Sequence, residues 1–261
     1  MDVYSILEKV MAQKPLVHHL TNWVTIYDCA NIVKVLGASP VMAHAREESG
    51  DMAGLASSLV LNIGTLTPEF IESMKIAAKS ANKKGIPVVL DVCGAGATKL
   101  RDDKSFELLD QVKIDVIKGN ASEIARIAGE NVKTKGVDSV EVEKNLIELA
   151  RHLAGERNAT VVITGKEDIV ADKTRYFIVK NGHEMMMHVV GTGCMAASVI
   201  GTFSAVHKNL AEAAASALSV YGIAAELAAK ESKGPATFKE KLFDNIYRLN
   251  KETVERMKKV E

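Results

Sequence analysis

The chain has 261 residues, of which 47% are hydrophobic and 25% charged, with 33 basic side chains against 33 acidic ones. That length supports a sizeable core and the composition is ordinary for a globular protein. A formal charge of zero argues against a broad nucleic-acid or anionic-membrane footprint, so neither partner is expected. Cys29, Cys93 and Cys194 sit far apart with no CxxC pair, which disfavours a disulfide scaffold or structural zinc and favours a reducing cytoplasm.

The opening MDVYSILEKVMAQKP lacks the basic n-region and apolar core of a signal peptide. Helical spacing predicts helices over 5–13 and 28–36, the second ended by Gly37. SSLVLNIG (57–64) reads as a strand. In 67–85, Thr67 stands at an N-cap, Pro68 at the first helical position and Glu69 in the first turn, with lysines and Gly85 closing the helix. IPVVLDV (86–92) is a strand running into CGAGAT. A short helix over 106–111, a strand over 114–119, a helix over 121–129 and a longer helix over 140–153 follow. Strands are then expected at 160–165, 168–172 and 175–182, with Met185–Met187 on or near another. The remainder, 194–259, is almost wholly helical. Its alanine-rich run 211–229 is broken by Glu212 and Glu226, reads as a helix with a buried face, and no stretch is expected to span a membrane.

Strands that are apolar throughout and alternate with helices imply a mainly parallel sheet covered on both faces: a three-layer α/β fold. Without a linker or repeat, 1–261 is read as one domain. Ligands of open α/β sheets lie beyond the carboxyl ends of the strands. That rule selects Asn62–Gly64, Asp91–Gly96, Lys118–Glu123, Thr164–Gly165 and Gly191–Cys194.

GTGC (191–194) opening a helix offers backbone N–H groups to an anion, although its glycines would equally allow tight packing. It matches neither the P-loop nor GxGxxG. Asn120 and Glu123 stand one helical turn apart, a spacing that suits a hydrated Mg²⁺ and equally an N-terminal capping box. Lys118 could hold a phosphate or be solvated. Asp91, ending a buried strand, must be solvated, paired or metal-linked. His18, His19 and His44 do not have metal-ligand spacing, and Trp23 and Met42 could line a pocket or belong to the core.

Taken together, HHLTNWV, ANIVKVLGASPVMAHAREE, LVLNIGTL, PVVLDVCGAGAT, IKGNASEI, VVITGKEDIV and VVGTGCMAAS resemble the hydroxyethylthiazole kinase family of ribokinase-like fold, in the family's order over roughly residues 15–205. The resemblance implies phosphorylation of the primary alcohol of 4-methyl-5-(2-hydroxyethyl)thiazole by ATP with Mg²⁺, in thiamin salvage. By position it gives Met42 and Gly191 contact with the thiazole alcohol, and Lys118 and Thr164 contact with ATP. Asp91 and Glu123 would organise the metal and its waters, with Asn120 a further candidate ligand. Gly191, Gly193 and Cys194 would form the catalytic turn. The family often has arginine at position 118, so Lys118 keeps the charge without bidentate geometry. The resemblance also implies a homotrimer with sites between subunits, the GASPVM segment facing a neighbour.

Many ribokinase-like enzymes carry aspartate where this family, and this chain, has cysteine. A loose phosphoryl-transfer transition state needs little prior deprotonation of the alcohol, so the backbone donors of Gly191–Cys194 and Mg²⁺ are expected to dominate, with Cys194 a modest base. Besides a catalytically dead nucleotide-binding regulator that would bind ATP without consuming it, two rivals stand beside this reading. One is a ribokinase-like kinase of another small alcohol, such as a hydroxymethylpyrimidine. The other is a hydrolase with Cys194 as nucleophile, for which the nearest histidine in sequence is His188.

Overall fold

A computed structural model describes residues 1–129 and 139–261, the side chains of 139–144 excepted. The elements run α1 (Val3–Gln13), β1 (Leu16–Leu20), α2 (Ile26–Val35), β2 (Ser39–Val41), α3 (Arg46–Leu55), β3 (Ser58–Asn62), α4 (Pro68–Lys84), β4 (Val88–Asp91), α5 (Lys99–Gln111), β5 (Val116–Asn120) and α6 (Ala121–Ile127). Then follow α7 (Ser139–Arg157), β6 (Thr160–Thr164), β7 (Asp168–Ala171), β8 (Tyr176–Val179), a 3-10 helix (Glu184–His188), α8 (Thr192–Ser204), α9 (Leu210–Glu231), α10 (Pro235–Arg248) and α11 (Lys251–Met257).

The sheet order is β2-β1-β3-β4-β5-β6-β7-β8, with β1 to β6 parallel, β7 antiparallel to β6 and β8 antiparallel to β7. Alternate strand residues face opposite ways, and both faces are buried. Val17, Val60, Val89, Val116 and Val162 meet α1, α2, α8, α9 and α10 on one side. Leu59, Leu61, Leu90, Ile117 and Ile163 meet the core of α4 to α7 on the other. Two-sided burial is why these strands are apolar throughout. Gly201 lets α8 lie close on the sheet: a Cβ there would stand 2.3 Å from Val60 Cγ2.

The α/β layering agrees with the sequence reading, and α4 has the expected caps: Thr67 accepts from Phe70 N at 3.2 Å and Gly85 closes the helix at φ 78°. Other elements differ. Met185–Met187 lie in the 3-10 helix and not on a strand; there the chain turns back from β8 toward α8. The helix expected over 106–111 starts at Lys99, because Thr98 caps it by accepting from Arg101 N. β1 was obscured by its paired histidines, β2 by its three-residue length and proline, and α3 by Ser49 and Gly50 in mid-helix. In α7, the expected periodicity over 140–144 lies outside the described side chains. Among the described residues α9 alone is long and apolar enough to cross a bilayer, and 78% of its most apolar window is buried in the fold.

Candidate active site

Strand register sets the site. Asn62 aligns with Asp91, Asp91 with Lys118, and Asn120 with Thr164, so the carboxyl ends of β3, β4, β5 and β6 form one polar edge. Asp91 and Lys118 are a buried pair, 1% and 4% exposed, with Lys118 Nζ 3.3 Å from each carboxylate oxygen. Asn62 Nδ2 donates a further bond to Asp91 Oδ2 at 2.9 Å. Burial pushes the Asp91 carboxyl up to about 7, although Lys118 pulls the other way. Burial opposes the charge on Lys118, but Asp91, Glu123 and Cys194 outweigh it and hold the ammonium above its ordinary value. The lysine therefore remains a fixed cation beneath the turn.

That turn is Gly191–Cys194. Gly191 is the N-cap of α8, at φ 92° and without a side chain to bond the first N–H groups. The positive end of α8 is left open to an anion. A Cβ on Gly191 would stand 2.6 Å from Thr25 Cγ2, and one on Gly193 3.3 Å from Lys118 Nζ. Helix terminus and ammonium thus converge. Cys194 is half-buried at N3 and accepts from Asn22 Nδ2 at 3.3 Å. Its thiol is pulled down to about 5, first by a hydrogen bond with Cys93; burial opposes, while Thr25, Lys118 and Asn22 assist. The Cys93 thiol is pushed up in return, by Cys194 and by burial.

Glu123 completes this edge from α6. Its Oε1 accepts from Gly94 N and its Oε2 from Asn120 N, both at 2.7 Å. Asn120 Oδ1 accepts from Glu123 N at 3.0 Å, so the two side chains form a reciprocal capping box. Thr164 ends β6 and donates to Gly119 O at 3.3 Å. Met42 lies apart from these groups, just after β2 at the sheet's edge, with β1 and β3 between it and β4. Among the described residues no cluster of three or more His, Cys, Asp or Glu side chains is placed to hold a metal.

Sequence reasoning passed over three side chains. Asn22 bridges Asn62 and Cys194. Thr25 holds Asn22 and touches the turn. Arg101 staples the ends of β3 and β4 through the carbonyls of Ile63, Gly64 and Cys93 at 2.6 to 3.0 Å. Asn62 was selected only by its place at a strand end, and Asn22 only as part of HHLTNWV. Neither carries a spacing signal, because the fold alone brings them together.

A three-layer α/β fold thus carries an open helix terminus facing a buried lysine and aspartate at one sheet edge. The same fold occurs in a ribokinase-like superfamily protein from Enterococcus faecalis, with a TM-score of 0.65, 17% identity and 93% of each chain covered. Residues 7–252 match the model of the hydroxyethylthiazole kinase family, and the chain belongs to that family. It is 55% identical to a hydroxyethylthiazole kinase of Methanosarcina mazei over 98% of both chains. The solved hydroxyethylthiazole kinase of Pyrococcus horikoshii shares 44% identity and a TM-score of 0.92, covering 99% of this chain and 98% of that one. The protein is accordingly a phosphotransferase with an alcohol as acceptor.

Proposed function

We propose that the chain acts as one kinase domain, transferring the γ-phosphoryl group of ATP with Mg²⁺ to the hydroxyl of 4-methyl-5-(2-hydroxyethyl)thiazole, in cytoplasmic thiamin salvage. The observation that carries this reading is the convergence of the uncapped α8 terminus at Gly191–Cys194 with Lys118 and Asp91. The N–H groups of that turn, on both sides of Gly193, and the Lys118 ammonium offset charge on the transferring phosphoryl oxygens. Gly191 holds its end of the turn close to the alcohol, while Met42, which lies apart from that turn within one chain, contacts the thiazole bound by a neighbouring subunit. Thr164, at the end of β6, binds the nucleotide.

Mg²⁺ keeps several waters and binds through one or two carboxylates plus phosphate. Asp91 and Glu123 suit that demand: each Glu123 oxygen takes one backbone donor and retains further acceptor capacity for a metal-bound water. Asn120 is less suited, because its Oδ1 already takes bonds from Ser122 and Glu123. When bound, the ion supplies charge neutralisation on the phosphates. Cys194 accepts the alcohol proton, a light duty in a loose transition state.

A cysteine-nucleophile hydrolase would need a histidine bonded to Cys194. His188 is exposed at the end of the 3-10 helix, and His19 bonds Ser198 Oγ, burial pulling its imidazole down to about 3. Initial rates with ATP and Mg²⁺ on the thiazole alcohol, a hydroxymethylpyrimidine and pyridoxal test the specificity. The thiazole alcohol is expected to have the highest kcat/KM; a preference for either competitor overturns the reading.

A homotrimer with sites between subunits belongs to the same proposal. Tyr27, Met187, Val190 and Tyr247 are 77%, 81%, 73% and 77% exposed; α10, which carries Tyr247, packs against both α2, which carries Tyr27, and the 3-10 helix, which carries Met187. Val190 directly precedes the catalytic turn, and exposed apolar side chains of this kind suit a subunit contact. Light scattering is expected to return three times the 28.1 kDa chain mass. A monomer with full activity would refute shared sites.

A further inference from the structure

The Cys194 sulfur is reached by a chain of two buried amides whose orientations are fixed at every atom. Asn22 Oδ1 accepts from Thr25 N and from Thr25 Oγ1, both at 3.1 Å. That leaves the Asn22 amino group pointing away from Thr25, where it donates to Asn62 Oδ1 at 3.0 Å and to Cys194 Sγ at 3.3 Å. Asn62 is pinned in the same sense. Its Oδ1 also accepts from Gly64 N at 2.9 Å, and its Nδ2 donates to Asp91 Oδ2 at 2.9 Å. Asn22 and Asn62 are 3% and 1% exposed, so water does not compete for these bonds. Flipping either amide would set donors against donors or acceptors against acceptors.

We infer that Asn22 is a positioning residue: its amide, oriented by Thr25 and Asn62, presents an N–H to Cys194 Sγ and holds that sulfur as a proton acceptor facing the turn. An amide N–H can only donate, so it favours the thiolate over a thiol pointed at the same partner. Asn62 extends the device to Asp91, linking the base, the turn and the Asp91–Lys118 pair through one line of hydrogen bonds. The other titratable and charged groups around the sulfur are Cys93 and Asp91 from the β4 end, Lys118 from β5, Cys29 from α2 and Tyr221 from α9. Of these, Lys118 and the Cys93 hydrogen bond also favour the thiolate. Asn22 supplies a neutral donor that pH cannot remove.

The role in catalysis rests on the kinase reading above; the effect on the sulfur does not. The test is alkylation of Cys194 by iodoacetamide across about pH 4 to 10, on the full chain without nucleotide, followed at the Cys194 peptide by mass spectrometry. Asn22→Ala is expected to raise the alkylation midpoint by about one unit or more, as loss of a hydrogen bond to a charged group requires. Asn62→Ala does not touch the sulfur and is expected to raise the midpoint less, through loss of Asn22 orientation. The double variant is expected to match Asn22→Ala, because the two act in series. In kinase assays both single variants should lower kcat with KM for the alcohol nearly unchanged. A midpoint within about 0.3 units of the native protein in a folded Asn22→Ala variant overturns the inference. If that variant does not fold, an unmoved midpoint in Asn62→Ala overturns it instead. Should the native protein fail to phosphorylate the thiazole alcohol, the alkylation midpoints still decide the role of Asn22.

Discussion

Replacing Gly191 with alanine perturbs the turn in two separable ways. The residue sits at φ 92°, where an L side chain crowds its own backbone at a cost of about 1–2 kcal/mol. The new Cβ would also lie 2.6 Å from Thr25 Cγ2 and 3.1 Å from Thr25 Cβ, and Thr25 is 3% exposed with little room to retreat. Overpacking of that kind costs about 1–3 kcal/mol. Gly191→Ala is therefore expected to lose about 2–5 kcal/mol in urea unfolding, tolerable if native stability lies in the usual range of about 5–15 kcal/mol. Because Thr25 also orients Asn22, the variant should lose kinase activity even when folded. Thr25→Ser removes the clashing methyl and keeps the hydroxyl. In a double-mutant cycle it should recover about 1–2 kcal/mol of the Gly191→Ala loss, leaving the dihedral cost in place. Strict additivity of the two changes would refute the steric account, and a Gly191→Ala variant within about 0.5 kcal/mol of native stability would refute the whole argument.

Three further outcomes follow from the same geometry. Asp91→Asn leaves the Lys118 ammonium buried against a neutral amide; a loss of about 3–5 kcal/mol in urea unfolding is expected together with loss of phosphoryl transfer, and unchanged stability would contradict a buried ion pair. Cys194→Ala is expected to slow turnover by less than about 10⁴-fold with substrate binding intact, since a general base contributes about 10²–10⁴-fold; a greater loss would make the thiol dominant over the turn. His19 is fully buried and its imidazole is pulled down from 6.5 to about 3, so the unfolded chain binds a proton there that the native chain refuses. Its contribution to stability is complete above about pH 6.5 and is lost as pH falls toward about 3. His19→Gln is expected to flatten that acid slope in pH-dependent denaturation; an unaltered slope would show that the imidazole is not held neutral.

The parallel core was legible because β3, β4, β5 and β6 are short, apolar on both faces and stopped by polar or glycine residues at their carboxyl ends. The same rule points to Asn62, Asp91, Lys118 and Thr164, since strand ends need only a strand prediction. What remained hidden were contacts between distant segments. Asn22 meets Cys194 across 172 residues and Asn62 across 40, and Arg101 closes onto Ile63 from 38 residues away. Such bonds depend on register and side-chain direction, which no local pattern encodes. The capping box at Asn120 and Glu123 was readable for the opposite reason: all its atoms lie within one helical turn. The sequence also offered no reason to bury Lys118, whose pairing with Asp91 follows from their facing positions on β4 and β5.

The central claim, a kinase that phosphorylates the hydroxyethylthiazole alcohol at the Gly191–Cys194 turn, meets its most direct test in one reaction mixture. The purified chain, ATP, Mg²⁺ and 4-methyl-5-(2-hydroxyethyl)thiazole are incubated together and the products are read by phosphorus NMR and mass. A thiazole phosphate monoester forming in step with ADP is the predicted result. Unconsumed ATP, or phosphate released free while the alcohol stays unmodified, would contradict it.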